Sequence, residues 1–300
     1  MIRDSMGDLS YWNGLIALQI SDIANMQHRI KEPPGDPSYR PQYLFELAKE
    51  NWHLLFCRYS LGDPISELAQ YFPPLLNAWE ESERLGQSVW TEQQQYTRHG
   101  WAVNLDHYIV CFWLVGLALS LEISDDQWQR LLTLIGNEGE DELLDRVIAS
   151  RQPGRKIGSK LCHPEPYQRL LDAVNAPQDK QAQMLFTFVD KWYKELNRPP
   201  KKGLSEDTAM YDRPYWYILG NRQLEDSGYF GRWCVEAIAA VKAFGIDDSL
   251  CLGHEHYPGD LLRPDDPSTH LARETGTQPP TQTVTTATKP GVLSRLFGRK

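Results

Sequence analysis

An all-α fold follows from three features of this sequence. Apolar residues recur at helical spacing in nearly every segment, sustained period-two alternation is almost absent, and Gly, Pro, Ser and Asp stand where one apolar pattern ends and the next begins. The reading is a multi-helix globular array in two helical subdomains that share a core, 1–150 and 151–263. A Pro/Thr-rich tail over 264–300 cannot bury enough apolar surface to offset its ordering entropy, which predicts disorder.

The first helix is predicted over Leu9–Ile30, where Leu15, Ile16, Leu18, Ile20, Ile23 and Met26 fall mostly on one face. Four prolines and a glycine in Lys31–Pro41 break it. A second helix over Tyr43–Ser60 presents Leu44, Leu47, Ala48, Trp52, Leu55 and Tyr59. Leu61-Gly62 ends it, and Asp63-Pro64 restarts the chain as N-cap and first-turn proline. Further helices are expected over Pro64–Tyr71, Pro74–Leu85, Ser88–Arg98 and Asn104–Leu121. Ser124-Asp125-Asp126-Gln127 has the form of a capping box and opens a helix to Ile135, which Gly136 stops. Another helix runs from about Glu140 to Ala149.

The polar, basic stretch Ser150–Pro166 marks the boundary between the two subdomains. Beyond it helices are expected near Tyr167–Val174, Gln178–Asn197 and Tyr215–Asn221, with an irregular stretch over Arg198–Pro214. The last helix is predicted over Tyr229–Phe244, with Phe230, Trp233, Cys234, Ala237, Ile238, Val241 and Phe244 on one buried stripe.

The formal charge is −9, from 31 basic and 40 acidic residues. Such a balance argues against nucleic-acid binding, which needs Lys and Arg for the phosphates, and favours a basic protein partner. The longest apolar run, Tyr108–Leu119, is too short for a membrane span, and no secretory signal is visible at the N-terminus. Five scattered cysteines without CxxC spacing read as reduced thiols, and the expected compartment is the cytoplasm.

No phosphate-binding glycine loop, HExxH, GxSxG or EF-hand pattern is present, so the sequence offers no catalytic residues and the expectation is a protein without enzymatic activity or cofactor. Asp125-Asp126 and Asp247-Asp248 have the form of metal ligands or an acid–base pair, but adjacent carboxylates at a helix start are also what the helix dipole favours. His53/Cys57 and His107/Cys111 each put an imidazole and a thiol on one helical face, a spacing compatible with zinc or with a satisfied core pair; no metal is expected. His254-Glu255-His256 lacks a third ligand. The densest charge lies between Glu122 and Asp145. There Glu122, Asp125, Asp126, Glu138, Glu140, Asp141, Glu142 and Asp145 face a single base, Arg130, and this run is the predicted partner-binding surface.

The C-terminal half carries, in order, Tyr215-Trp216, Trp233-Cys234-Val235-Glu236-Ala237, Ile246-Asp247-Asp248 and Tyr257-Pro258-Gly259-Asp260-Leu261. The N-terminal half carries Arg58-Tyr59-Ser60-Leu61-Gly62 followed by Ile65 and Leu68. Together these motifs resemble the immunity proteins that neutralise PoNe-type nuclease toxins, across roughly residues 10 to 262. The resemblance implies an all-α cytoplasmic protein of two helical parts that binds a cognate DNase-type toxin, often one delivered by a type VI secretion system. It implies inhibition by stoichiometric protein–protein contact and supplies no catalytic residues. Trp233, Glu236, Asp247, Asp248, Tyr257, Pro258 and Asp260 match its signature, with roles that a structural function would also satisfy. An adaptor or chaperone that holds a secreted effector is the alternative the same features allow, and a metal-dependent hydrolase built on the paired aspartates is the third.

Overall fold

The computed structural model describes residues 1–31, 36–197, 214–220 (218–220 by backbone alone) and 228–270. Among these residues there is no β-strand; the elements are helices and short 3₁₀ turns. None of the described helices is long and apolar enough to cross a membrane.

The N-terminal helices are α1 (Leu9–Lys31), α2 (Arg40–Leu61), the single-turn α3 (Ile65–Leu68), α4 (Phe72–Gly86) and α5 (Glu92–His99). A 3₁₀ turn at Pro37–Tyr39, capped by Asp36, leads into α2. α2 packs between α1 and α4 and buries Leu44, Leu47, Trp52, Leu55, Phe56 and Tyr59. It ends where the sequence predicts, at Gly62, whose φ of +105° is open to glycine without strain. The same position tolerates no side chain for a second reason. A Cβ there would sit 1.9 Å from the Met1 carbonyl oxygen, because the N-terminal segment crosses over the end of α2. The expected start of α5 at Ser88 is overturned: Thr91 forms a capping box with Gln94, and the helix begins at Glu92.

α6 (Leu105–Ser120) is the central helix, and of its residues only Asp106 is not buried. That all-round burial explains why it reads as a continuous apolar run rather than a stripe. Around it stand α7 (Asp125–Ile135), α8 (Glu142–Ala149), the antiparallel pair α9 (Pro164–Asn175) and α10 (Gln178–Glu195), α11 (Tyr215–Gly220) and α12 (Val235–Phe244). α6 meets α12 closely at Gly116, where a Cβ would lie 2.8 Å from Val235 and 3.0 Å from Ala239.

The last helix corrects the sequence reading. It begins at Val235, not Tyr229, because residues 229–234 follow an irregular path that no helix shares. Gly231 adopts φ +109°, the Cys234 amide donates to the His256 carbonyl at 2.8 Å, and the Trp233 indole N–H donates to the Ser60 hydroxyl at 2.9 Å. Phe230, Trp233, Cys234, Ala237 and Ile238 are buried as expected, whereas Val241 and Phe244 are only half-buried.

One apolar cluster runs through the whole described molecule, from Trp12 in α1 to Leu261, with Trp12, Trp52, Trp79, Trp101, Trp128 and Trp192 fully enclosed. Residues 264–270, expected to be part of a disordered tail, are instead bound to the body of the protein. Ser268 and Thr269 bind Asp260, and the buried His270 accepts or donates at 2.9 Å to the Tyr59 hydroxyl. Residues 271–300 of that tail, and the irregular stretch 198–213, lie outside the described residues.

Candidate partner-binding surface

The eight carboxylates between Glu122 and Asp145 separate into an outer and an inner set. Glu122, Asp125, Asp126, Glu138 and Glu140 are exposed, and Glu142 is half-buried. The capping box of α7 fixes two of them. The Ser124 hydroxyl accepts from the Gln127 amide and the Gln127 side chain accepts from the Ser124 amide, which leaves Asp125 and Asp126 in the first turn, where the helix dipole favours negative charge. The fold also supplies cations that a count along the run omits. Arg151 lies 2.9 Å from Asp125, Lys242 3.0 Å from Glu122 and Arg146 3.7 Å from Glu142, while Arg130, the base within the run, bridges Glu80 at 2.7 Å and Asp126 at 3.9 Å. The Lys156 amide donates to Glu138 at 2.7 Å. Exposed pairs of this kind contribute only about 0–1 kcal/mol to stability, so the outer set is available for long-range steering without being needed for folding.

Asp141 and Asp145, expected on the contact surface, are instead fully enclosed. Asp141 caps α8: one oxygen accepts from the Leu143 and Leu144 amides at 2.9 and 2.7 Å and from the Tyr108 hydroxyl at 3.0 Å. Its other oxygen accepts from the Cys162 amide at 2.7 Å, and burial pushes this carboxyl above its ordinary range. Asp145 pairs with Arg155 at 2.8 Å and accepts from the amides of Gly139, Asp141 and Gly158 at 3.0–3.2 Å. The two carboxylates therefore clamp the segment that follows α8 back onto its N-terminus. The signal for this was present: Asp141 precedes Glu142-Leu143-Leu144 as an N-cap, and Asp145 shares the inner face with Leu144 and Ile148.

The signature residues are mostly interior. Glu236 lies wholly buried in the first turn of α12, where one oxygen accepts from the Tyr167 hydroxyl at 2.8 Å and the Trp192 indole at 3.3 Å. Its other oxygen has no hydrogen-bond partner among the described residues, and burial raises the carboxyl to about 7. Asp248 accepts from the Tyr257 hydroxyl at 2.6 Å and pairs with Arg263. Asp247 is exposed and accepts from the Ser249 amide at 2.9 Å and the Ser249 hydroxyl at 3.1 Å. Asp260 joins the N-terminal segment to the chain beyond it: Arg3 reaches it at 2.6 Å, and Ser268 and Thr269 also bind it. Burial acts to raise the Asp260 carboxyl, yet these donors hold it below its ordinary range. Pro258 and Tyr257 are buried beside it.

The histidine–thiol pairs are taken up by packing. His53 stacks on Phe230 at 4.4 Å and hydrogen-bonds the Tyr215 hydroxyl at 2.5 Å, while His107 lies 3.4 Å from Cys111. No three His, Cys, Asp or Glu side chains among the described residues are placed to hold a metal ion.

A feature the sequence reading missed is a cleft of about 280 Å³ between α2, α5, α6 and α11. Phe45, Trp52, Val110 and Tyr215 wall it, and Glu46, Lys49, Arg98 and Asp106 supply its charges. Lys49 sits 4.5 Å above the Tyr215 ring and 3.3 Å from Glu46. Arg98 stacks on Trp90 at 3.6 Å and donates to Gln42 at 2.8 Å. One oxygen of Asp106 accepts the Tyr215 amide at 2.9 Å, and burial raises its carboxyl to about 7. Residues so far apart in the chain leave no local pattern to find.

Two family models match the chain in order: PoNe immunity protein, N-terminal, over residues 3–133, and PoNe immunity proteins, C-terminal, over residues 139–261. No curated protein matches it. Among solved structures it is similar to the crystal structure of protein PA2201 from Pseudomonas aeruginosa, with a TM-score of 0.63 at 17% identity over 88% of this chain and 91% of that one. At that identity the likeness is one of fold.

Proposed function

Since the chain belongs to the PoNe immunity protein family, we propose that it neutralises a toxin delivered by a type VI secretion system, acting in the cytoplasm by stoichiometric binding. Membership of the family carries the coarse statement, an immunity protein for a PoNe nuclease toxin. The ordered match of both family models over residues 3–261 is the observation on which it rests.

The physical route begins with charge. Residues 271–300 hold five basic side chains against one acidic, so of the net −9 the first 270 residues carry −13. A nuclease must present a basic groove to bind DNA phosphates, and an acidic body of this size attracts such a groove before contact. The outer carboxylates Glu122, Asp125, Asp126, Glu138, Glu140 and Glu142 are the proposed contact surface, and occlusion of the DNA path is the simplest inhibitory mechanism. No direct contact with nucleic acid or membrane is part of this reading.

Co-expression with the toxin-like product encoded beside this chain tests the proposal. Expected are cell survival, intact DNA and a one-to-one complex on gel filtration. Unchanged toxicity without a complex would overturn it, and a complex that stabilises the toxin while leaving its nuclease activity intact would establish the adaptor reading instead.

A further inference from the structure

We propose that the cleft between α2, α5, α6 and α11 is a second contact site, which takes one cationic side chain of the protein partner onto the open oxygen of Asp106, and this rests on the immunity reading above. The charges that line the cleft are not equally provided for. Lys49 is neutralised by Glu46 at 3.3 Å, and His99 lies 3.2 Å from Glu83. Arg98 stacks on the Trp90 face and donates to the Gln42 amide oxygen, while its buried Nε has no hydrogen-bond partner among the described residues. Asp106 has no cation within ion-pair distance among the described residues. One of its oxygens is occupied by the Tyr215 amide, and the other has no partner there.

A carboxylate in this position is costly in the free protein. It is half-buried at the cleft wall, and the field of Lys49 does not offset the hydration it loses there, so its acidity weakens to about 7. A guanidinium or ammonium placed against it restores the charged form and gains a charge-assisted hydrogen bond, about twice as strong as a neutral one. The walls suit the stem of such a side chain. Phe45, Trp52 and Tyr215 line the space, where Lys49 already lies over the Tyr215 ring and Arg98 over the Phe45 ring, so cationic heads pack on these walls. The volume suffices for one long side chain.

The site complements the outer carboxylates. Charges in open solvent attract any basic surface, whereas a cleft that demands one cation at one place selects among basic surfaces.

The probe is n-butylguanidinium, an arginine side chain with a methyl group in place of Cα, and n-butylurea is its uncharged counterpart. Both are titrated into the full-length protein labelled with ¹⁵N-tryptophan, with the indole resonance of Trp52 assigned through Trp52→Phe. The guanidinium is expected to shift that resonance saturably, the urea to leave it in place, and Asp106→Asn to weaken the guanidinium at least about tenfold. Asparagine keeps an acceptor for the Tyr215 amide, so the cleft is retained. Equal shifts from the two compounds, or unchanged binding to Asp106→Asn, would overturn the assignment. In a second arm the adjacent-encoded toxin is titrated against wild type and Asp106→Asn. A complex weakened at least about tenfold in the variant supports the site. A wild-type complex that the variant reproduces sinks the cleft and leaves immunity standing. The absence of any wild-type complex sinks immunity, and the butylguanidinium arm then still decides whether the cleft takes a cation.

Discussion

Glu138 and Glu140 stand at the surface, whereas Asp141 and Asp145, one and five residues further on, are sealed in the interior. The outer pair has neighbours that solvent could replace. The inner pair receives eight hydrogen bonds, from Tyr108, Arg155 and six backbone amides, among them the first turn of α8. The difference teaches that a run of like charge in a sequence is two kinds of residue. Some carboxylates set the field around the molecule, and others substitute for missing backbone partners where a helix begins.

Substitutions should break the two sets very differently. Asp145→Ala strands Arg155, whose side chain is 5% exposed, together with three amides. A loss of roughly 3–5 kcal/mol is expected from the chemical denaturation midpoint. A loss below about 1 kcal/mol would place Asp145 with the surface set.

Trp233→Ala provides the apolar reference. It removes a nearly enclosed ring that packs on Tyr59 at 5.0 Å and donates to Ser60. A loss of about 3–5 kcal/mol that stays level across pH is expected by thermal unfolding, and a pH-dependent loss would tie this ring to a titrating neighbour.

Glu236 sharpens the interior set, because it is sealed without a cation. Its folded carboxyl is raised from 4.5 to about 7, so the unfolded chain gives up the proton first. Stability from this group is fully present below about pH 4.5 and is lost as pH rises through about 7. Glu236→Gln keeps an acceptor for Tyr167 and Trp192, and removes that loss. Its stability relative to wild type should grow between pH 5 and 8 by on the order of 2–3 kcal/mol, and a constant difference would mean the carboxyl does not titrate in this window.

The smallest effect on stability belongs to the outer set. Glu138→Lys with Glu140→Lys should change unfolding by less than about 0.5 kcal/mol, yet slow association with the toxin at low salt. An association rate unchanged by the reversal, measured by stopped flow at two ionic strengths, would move the contact surface elsewhere.

Much of the fold was legible along the chain. Ser124-Asp125-Asp126-Gln127 and Gly62 act as read, because caps are local chemistry that five residues specify. The misplaced start of α12 had a different cause. Tyr229–Cys234 carries a helical stripe, but Trp233 and Cys234 are claimed by Ser60 and His256, and tertiary bonds override a short apolar pattern. The partner surface was legible only in part. Acidic residues can be counted, but Arg151 and Lys242 reach Asp125 and Glu122 from distant positions.

What the sequence determined by itself was the helical architecture, most helix limits and the family, all of which rest on residue types at short or ordered spacing. What only the tertiary structure decided was which carboxylates are buried and where the cleft opens. Burial is a property of packing between elements, and Phe45, Asp106 and Tyr215 meet only when α2, α6 and α11 are brought together. A side chain's charge is written in the sequence, but whether that charge faces water depends on everything that folds over it.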